Sequence, residues 1–391
     1  MLTTVTEPRT GSLGCIGHTL PEYLPRSATF IYTLLRYQQQ YASVVLARRT
    51  ANLADFPLDA PVLELDSAYD PTRAGGALSA LLPGGRDGYV RRVVEEAARH
   101  SCVLLHAHFG WSGPPSLRAA RELGIPLVTT FYGRDLADRK RRWQRRPLYE
   151  RLFEEGDLFV CEGSAMAQHL SELGCPAAKV RIVRIGIDLS KFPFRPPVRT
   201  RPFVIIQVGR LVEKKGFDVS IRALASVLPS LGRAELWVVG DGELRPELER
   251  LASSLGVADA VRFFGEVSHG EYRRLLESVH LGSQPSRTAA DGDTEGGAPT
   301  VLLEMQARGI PVAATRHADI PEVVAAEDCL VDEEDAEALG QVFVRLAQAS
   351  DKEWLERAKQ GRSLMESQHD AASTAASMES LYVELTARVG K

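Results

Sequence analysis

Short apolar segments alternate with helix-length amphipathic segments along almost the whole chain, and this pattern sharply limits what the chain can fold into. Apolar runs bounded by glycine, proline or polar residues are typical of buried strands, and a helical stretch between two runs lets them pair in parallel. The pattern therefore predicts an α/β protein built from Rossmann-like, doubly wound parallel sheets.

The predicted elements fall into two groups on either side of residues 193–202. The predicted strands are Leu13–Gly17, Val44–Ala47, Cys102–Ala107, Pro126–Phe131, Leu158–Cys161 and Val180–Ile185 in the first half, and Phe203–Val208, Glu235–Val239, Val261–Phe264, His280–Gln284, Val312–Ala314 and Cys329–Val331 in the second. The predicted helices are Thr29–Tyr41, Tyr89–Arg99, Ser164–Leu173, Phe217–Leu228, Leu244–Leu255, Glu271–Ser278 and Thr300–Arg308, with further helices after Ala336.

Residues 193–202 contain four prolines and show no periodicity, which predicts a linker. A length of 391 residues fits two domains at roughly 100–200 residues each. We predict a domain at residues 1–195, a second at 200–370, and a helical C-terminal segment at 371–391 that is free to return to the first domain. Ligands of such folds bind at the carboxyl ends of the strands, so we expect two domains facing a central cleft.

Composition excludes several classes of protein. The formal net charge of −4 gives no support for a nucleic-acid partner. The start of the chain lacks a signal-peptide pattern, and the apolar runs are strand-sized. Five widely spaced cysteines fit neither a disulfide framework nor a zinc site. We therefore expect a cytoplasmic protein with reduced thiols.

A basic loop follows the strand Phe203–Val208. Gly209 leaves room for close approach, Arg210 offers a planar fork of donors, and Lys215 is a point charge just before the next helix. Such an arrangement suits a diphosphate. A solvated basic loop remains the alternative if the cluster is considered alone.

Two further loops contain glycines at the ends of predicted strands. Gly240 begins a Gly-Asp-Gly turn after Glu235–Val239, and Gly265 follows Val261–Phe264. Glycine in such places usually serves only the turn, so each signal is weak when taken alone.

The most informative stretch runs from Asp291 to Glu304. Its glutamates, Glu295 and Glu304, could each accept hydrogen bonds from sugar hydroxyls. The alternative for Glu304 is a carboxylate that only complements the helix dipole. The residues between them form a Gly-rich turn into a helix, with Pro299 at the first helical position and backbone N–H groups open to oxyanions. These intervening residues are Gly296, Gly297, Ala298, Pro299 and Thr300.

In this order and spacing, these clusters resemble the nucleotide-sugar half of retaining GT-B glycosyltransferases of family 4. The resemblance implies that Arg210 and Lys215 bind the donor diphosphate, that Glu304 binds the ribose, and that Glu295 with its Gly-rich loop binds the transferred sugar. It implies catalytic roles for Arg210, Lys215 and Glu295. Gly209, Gly240, Gly265 and residues 296–300 complete the implied donor site.

The chain departs from the usual Glu-x7-Glu spacing of that family, because eight residues separate Glu295 from Glu304. A residue added to the Gly-Gly-Ala loop is easily absorbed, whereas one added inside the helix would rotate Glu304 by about 100°. The assignment of Glu304 therefore rests on firmer ground than that of Glu295.

The first half is similar to the acceptor half of family members that assemble exopolysaccharides of the colanic-acid type. The resemblance places His18, His108, Tyr132 and Asp135 on the acceptor side. Many relatives have a histidine where this chain has Tyr132. A phenol with an ordinary pKa of about 10 is a poor base at neutral pH, so we do not assign the base role to Tyr132.

Two patterns suggest a metal, and we favour neither. His106 and His108 would share one face of a strand, but the surrounding sequence offers no third ligand. Asp291 and Asp293 form an Asp-x-Asp that follows small residues instead of a buried strand, which favours a solvated loop. We predict that no metal is required.

The segment 134–151 is rich in lysine and arginine around Trp143. A basic, partly amphipathic segment could contact anionic lipid at the inner face of the membrane. A solvated helix face is an equally good interpretation.

The resemblance implies transfer of a sugar, with retention, from a nucleoside diphosphate donor to a hydroxyl of a saccharide or lipid-linked acceptor. We favour UDP-sugars over GDP-sugars and expect no other cofactor. A nucleotide-sugar epimerase or sugar phosphorylase on the same fold is the alternative within enzymes. A catalytically silent nucleotide-sugar-binding subunit of a membrane-associated assembly is the alternative outside them.

Overall fold

The computed structural model describes residues 12–25, 29–66, 88–137 and 149–389. Contacts divide these residues into two compact units. The first combines the described residues up to Leu136, residues 149–187 and the stretch from Ala371 onward. The second holds Asp188–Asp370. None of the helices in the described part of the chain is long and apolar enough to cross a bilayer.

The first unit contains a parallel sheet with the strand order β3-β2-β1-β4-β5-β6-β7 among the described residues. Its strands are β1 (Cys15–Tyr23), β2 (Ala42–Thr50), β3 (Val62–Glu64), β4 (Cys102–His108), β5 (Leu127–Thr130), β6 (Leu158–Cys161) and β7 (Val180–Ile182). The helices up to residue 187 are α1 (Thr29–Tyr37), α2 (Gly88–Arg99), α3 (Gly113–Leu123), α4 (Arg134–Ala137) and α5 (Ser164–Glu172), and residues 149–155 are also helical.

The second unit contains a parallel sheet with the order β10-β9-β8-β11-β12-β13. Its strands are β8 (Phe203–Val208), β9 (Ala234–Val239), β10 (Val261–Gly265), β11 (Leu281–Gln284), β12 (Val312–Thr315) and β13 (Leu330–Val331). Its helices are α6 (Phe217–Leu231), α7 (Arg245–Ser254), α8 (His269–Leu275), α9 (Thr300–Arg308), α10 (Ile320–Val323), α11 (Ala336–Gln348) and α12 (Asp351–Gln368), and α13 (Ala371–Val389) follows in the first unit.

Apolar runs became strands because both faces of a parallel sheet are covered by helices. All four residues of β6 are buried, as are those of β5. The α/β fold class with two Rossmann-like sheets is therefore confirmed. The strand predictions at Leu158–Cys161 and Phe203–Val208 coincide with the observed bounds.

Strand β1 is longer than predicted and β3 was missed. The predicted strand ended at Gly17, because the residues that follow include polar groups and Pro21. In the structure β1 continues to Tyr23 because it lies in the centre of the sheet, paired with β2 through Tyr23. Strand β3 spans only three partly exposed residues at the sheet edge, which is too short for a periodicity signal.

Residues 193–202 do not form a linker between the units, so that prediction is wrong. The segment lies wholly within the second unit. The Arg195 N–H donates to the Arg308 carbonyl at 2.8 Å, and the Trp354 indole N–H donates to the Pro197 carbonyl at 3.0 Å. The segment shows no hydrophobic periodicity because it forms neither helix nor strand and runs along the surface of the second unit.

Candidate functional site

The candidate donor site begins where β8, β9 and β10 end. Gly209 donates its N–H to the Val239 carbonyl at 3.0 Å, and Gly240 donates its N–H to the Gly265 carbonyl at 2.8 Å. The three predicted glycines therefore lie together at the carboxyl edge of the second sheet. A β-carbon at Gly240 would come within 1.9 Å of the Gly209 carbonyl oxygen, so this close approach requires glycine.

The basic loop after β8 carries its cations on a short turn ahead of α6. Arg210 is exposed, whereas Lys215 is half-buried. Gly216 precedes the helix with φ 65°, and a β-carbon there would meet the Pro285 carbonyl at 2.0 Å. The turn is thus packed tightly against the end of β11, which places Lys215 over the loop that follows that strand.

Lys215 and Glu295 form an ion pair. The Lys215 Nζ lies 2.8 Å from Glu295 Oε1, and the Ser286 hydroxyl donates to the same oxygen at 2.7 Å. Burial opposes ionisation of Glu295, but the positive charges of Lys215 and Lys214 and the hydrogen bonds from Lys215 and Ser286 together hold its pKa below the ordinary value. Glu295 is therefore an ionised acceptor of hydrogen bonds at neutral pH.

Lys214 contacts the loop that carries Glu295, although it was not among the predicted site residues. Its side chain is buried, and Nζ contacts Asp293 Oδ1 at 3.0 Å and the Thr294 carbonyl at 2.8 Å. Asp293 is therefore an ion-pair partner on a loop that is still solvated, since its side chain is 42% exposed and Asp291 is exposed as well. Adjacent lysines cannot be told apart by composition, and only the direction of each side chain separates them.

The Gly-rich turn leads directly into α9. Gly296 has φ 78°, Gly297 is buried, and the turn continues through Ala298. Pro299 is the residue before the helix and not its first residue, because its ψ of 127° is extended and α9 begins at Thr300.

Glu304 lies in the second turn of α9 and is partly buried. Burial raises its pKa to about 7, and the Tyr272 hydroxyl and the charge of Arg273 act in the opposite direction. The ionised form of such a carboxyl group is stabilised by any ligand whose hydroxyl groups donate hydrogen bonds to it.

The candidate acceptor residues of the first unit form a buried cluster. His18 pairs with His106 in the register of β1 and β4, and the His18 Nδ1 lies 3.0 Å from the His108 Nε2. The His108 Nδ1 lies 2.8 Å from the Tyr132 hydroxyl. Burial lowers the pKa of His18 to about 3 and lowers those of His106 and His108, so all three rings are neutral at pH 7. Burial raises the pKa of Tyr132.

Three neutral imidazoles are chemically able to hold a metal ion, and their candidate ligand atoms all lie within 4.8 Å of one another. The third ring is His18, which the sequence could not place beside the other two. In this structure the nitrogens facing one another are joined by a hydrogen bond, and the His106 ring contacts the Thr130 hydroxyl at 2.6 Å and the Tyr382 hydroxyl at 2.7 Å. Five of the six ring nitrogens are therefore held by hydrogen bonds, whereas the buried His18 Nε2 has no hydrogen-bond partner among the described residues.

Asp135 is buried and holds two loops together. One carboxylate oxygen accepts the Gly110 N–H at 2.5 Å and the other accepts the Tyr132 N–H at 3.1 Å. Its carboxylate thus positions the backbone that carries Tyr132. Within the basic segment, residues 138–148 lie outside the described residues, and Arg151 pairs with Glu155 at 2.9 Å.

Both halves of the chain match family models. Residues 27–191 match the model described as Glycosyltransferase Family 4, and residues 190–360 match the model described as Glycosyl transferases group 1. The chain belongs to this group 1 and family 4 set of GT-B glycosyltransferases.

Two curated relatives are similar over much of the chain. A protein named putative colanic acid biosynthesis glycosyltransferase WcaL, from Escherichia coli, is 35% identical over 68% of this chain and 66% of its own length. The amylovoran biosynthesis glycosyltransferase AmsK of Erwinia amylovora is 34% identical over 62% of this chain and 60% of its own length. The matched part of this chain thus spans less than two thirds of each relative.

Solved structures share the fold at low sequence identity. The Anabaena protein Alr3699/HepE, crystallised with UDP-glucose, has a TM-score of 0.74 at 17% identity, covering 95% of this chain and all of that one (100%). Sucrose-phosphate synthase from Thermosynechococcus elongatus has a TM-score of 0.75 at 18% identity, covering 96% of this chain and 100% of its own. These similarities establish the GT-B fold.

Proposed function

We propose that the protein is a retaining glycosyltransferase of polysaccharide biosynthesis. It transfers a sugar from a nucleoside diphosphate sugar to a hydroxyl group of a saccharide or lipid-linked saccharide. The observation that carries the proposal is the Lys215–Glu295 pair, which joins the loops after the neighbouring strands β8 and β11, with Arg210 on the first of these loops and Glu304 on the helix that follows the second. All four residues lie inside the segment that matches the group 1 family model.

Each donor-site group has one role in this proposal. Arg210 and Lys215 hold the diphosphate and stabilise the charge that develops on it as the bond to the sugar breaks. Glu295 accepts hydrogen bonds from the sugar hydroxyls, and Glu304 accepts them from the ribose. Lys215, which already touches Glu295 at 2.8 Å, would lie between phosphate and sugar, beside the bond that breaks.

The proposed reaction uses no general base from the protein. The leaving phosphate oxygen takes the proton of the acceptor hydroxyl on the same face of the sugar, while that hydroxyl oxygen bonds to the anomeric carbon. This route gives retention and needs no metal ion. In the first unit, Tyr132 and His108 would bind acceptor hydroxyls as neutral hydrogen-bonding groups.

We propose that the donor is a UDP-sugar. Alr3699/HepE, which shares the fold, was crystallised with UDP and with UDP-glucose. WcaL and AmsK are named for the biosynthesis of colanic acid and amylovoran, which favours a saccharide acceptor for this chain as well.

The test is a thermal-shift panel of UDP, GDP, ADP and their sugar conjugates with and without EDTA, followed by radiolabel transfer to saccharide acceptors. A ligand of the native state raises the unfolding temperature. We expect a shift with uridine nucleotides that EDTA does not change, and transfer that is lost in Arg210→Ala but kept in Arg250→Ala, which removes an exposed arginine on α7.

The other outcomes are equally informative. No shift with any nucleotide would contradict the donor site. Binding without hydrolysis or transfer would favour a silent binding subunit, whereas release of an epimer without an acceptor would favour an epimerase. Sugar phosphate formed from a glycan and inorganic phosphate would favour a phosphorylase.

A further inference from the structure

A buried histidine contacts the loop that carries Glu295. His317 follows β12 and is buried, and its Nε2 lies 2.7 Å from the Thr294 hydroxyl oxygen. The Glu295 backbone N–H points at the same nitrogen, 3.3 Å away. On the other side of the ring, Nδ1 lies 2.7 Å from Glu333 Oε1. His317 therefore stands between Glu333 and the backbone of Glu295.

These contacts determine which ring nitrogen carries the proton. A backbone N–H can only donate, so the Nε2 of His317 must present its lone pair to Glu295. The proton of a neutral ring then lies on Nδ1. A carboxylate can only accept, and Glu333 faces Nδ1 at hydrogen-bond distance. The structure thus assigns the Nδ1–H form to His317.

The Glu333 carboxylate accepts a second hydrogen bond, from the Thr288 backbone N–H to Oε2 at 2.8 Å. Thr288 stands near the start of the loop and Thr294 and Glu295 near its end. One carboxylate therefore holds both ends, the first directly and the second through the imidazole. Neither an amide nor a hydroxyl could accept at both positions and still force the proton onto Nδ1.

We propose that Glu333 and His317 are positioning residues for the donor sugar. By keeping the Nε2 lone pair toward the loop, the pair holds the Glu295 backbone where its side chain meets both Lys215 and the sugar. This inference rests on the proposed function, because it takes Glu295 as the group that binds the sugar. Neither residue belongs to the donor site that the family resemblance implies.

The sharpest variant is Glu333→Gln. His317 and Thr288 face different oxygens of the Glu333 carboxylate, so an amide in the same position presents its NH₂ to one of these two donors. When the NH₂ faces Nδ1, it favours the Nε2–H form of the ring. Glu327→Gln is the matched control, since it also removes one carboxylate from the second unit but at an exposed position. His317→Gln is a second variant that retains polarity without the two-sided ring.

Two measurements separate the pair from a purely structural role. Nitrogen-15 spectra of the histidine rings should show protonated Nδ1 and bare Nε2 at His317 in the wild type, and a shift toward the other form in Glu333→Gln. Kinetics should show kcat/KM for the nucleotide sugar reduced by about tenfold or more, while UDP without sugar binds as in wild type, because only the sugar-binding part of the loop is displaced.

Each contrary result has a distinct meaning. A protonated Nε2 in the wild type, or Glu333→Gln kinetics equal to those of Glu327→Gln, would overturn the inference. Equal losses of UDP and UDP-sugar binding in Glu333→Gln and His317→Gln would reduce the pair to general support of the fold. Failure of the wild type to bind any nucleotide sugar would instead overturn the proposed function. The ring spectra report the tautomer of His317 independently of nucleotide binding, so the two failures can be told apart.

Discussion

Lys214 and Lys215 are adjacent in the sequence, but their side chains leave the turn in different directions and meet different partners. Lys214 points into the second unit and pairs with Asp293, while Lys215 points to Glu295 at the candidate site. Both side chains are largely buried, with 5% of Lys214 and 15% of Lys215 exposed, so both ion pairs are expected to support the fold. Lys215, which lies beside the ionised Glu295 of the candidate site, is also expected to meet a ligand anion.

Substituting each lysine separately tests this division. Lys215→Ala should weaken UDP binding by about 1.5–3 kcal/mol, since a charge-assisted contact to the diphosphate is lost, and should also lower the stability of the fold, because the Glu295 carboxylate loses its ion-pair partner. Lys214→Met should lower the free energy of unfolding by a similar amount of about 1.5–3 kcal/mol, because Asp293 and the Thr294 carbonyl lose their partner. Calorimetric titration with UDP and urea unfolding of both variants measure these effects. Weaker UDP binding in Lys214→Met than in Lys215→Ala would contradict the placement of Lys215 at the diphosphate.

Glu304 makes stability depend on pH. Its pKa is raised to about 7 from an ordinary 4.5, so between these values the folded chain binds a proton that the unfolded chain has released. The stability from this proton is complete below about pH 4.5 and is lost as the pH rises through about 7, a change of up to about 3 kcal/mol. Glu304→Gln should remove this pH dependence of the free energy of unfolding, so the variant gains stability relative to wild type as the pH rises. Urea unfolding at about pH 4.5 and about pH 8 measures the difference.

The same carboxyl group should couple nucleotide binding to pH. Ribose hydroxyls donate to the ionised form, so UDP affinity of the wild type should fall as the pH drops below about 7. The Glu304→Gln variant supplies the control, because its affinity should vary less over the same range. Parallel pH profiles for the two proteins would show that Glu304 does not meet the ligand.

At the scale of elements, the donor site depends on how closely three strand ends approach. Backbone hydrogen bonds hold these strand ends together, since the Gly209 N–H donates to the Val239 carbonyl and the Gly240 N–H donates to the Gly265 carbonyl. Gly240 combines φ 124° with the close contact to the Gly209 carbonyl. Both features exclude a side chain.

Gly240→Ala should therefore destabilise the second unit by about 1–3 kcal/mol and weaken nucleotide binding as the turn opens. Gly256→Ala is the matched control, because Gly256 also has positive φ (71°) but has open space around its β-carbon position. Thermal unfolding and UDP titration of both variants decide the matter. Equal effects in the two would show that backbone conformation, and not close approach, makes Gly240 necessary.

Local signals predicted many of the helices, but the helix α3 (Gly113–Leu123) was missed and α1 ends at Tyr37, four residues before the predicted end. The prediction of α9 at Thr300–Arg308 has the observed bounds, since Gly309 adopts a left-handed conformation (φ 94°) and ends the helix. Helix α12 begins at a capping box of Ser350 and Glu353. The predicted helix Ser164–Leu173 starts at the observed first residue of α5, and Gly163 is its N-cap residue.

At the scale of the whole molecule, the C-terminal helix α13 belongs to the first unit although it follows the second in sequence. Its Glu379 is buried, and Oε1 accepts the backbone N–H groups of Gln39, Gln40 and Tyr41 at 3.0, 2.6 and 3.1 Å. One carboxylate oxygen thus satisfies the backbone of the turn between α1 and β2.

Glu379→Ala should lower the stability of the first unit by about 2–3 kcal/mol, because three backbone donors, of which that of Tyr41 is buried, lose their acceptor. Glu384→Ala, also on α13 but at a half-exposed position, should change stability little. Hydrogen exchange at residues 39–41 together with thermal unfolding would report the loss. Unchanged exchange there in Glu379→Ala would show that α13 contributes only apolar contacts.

The sequence by itself determined the α/β class, most strand positions and the order of the donor-site loops, because hydrophobic periodicity and glycine placement are local properties. Only the tertiary structure decided which distant residues meet. Strand order brings His18 beside His106 and His108, and the same folding places His317 between Glu333 and Glu295. Local patterns carry no information about such pairings, since they depend on which strands become neighbours and on the direction in which each side chain leaves its backbone.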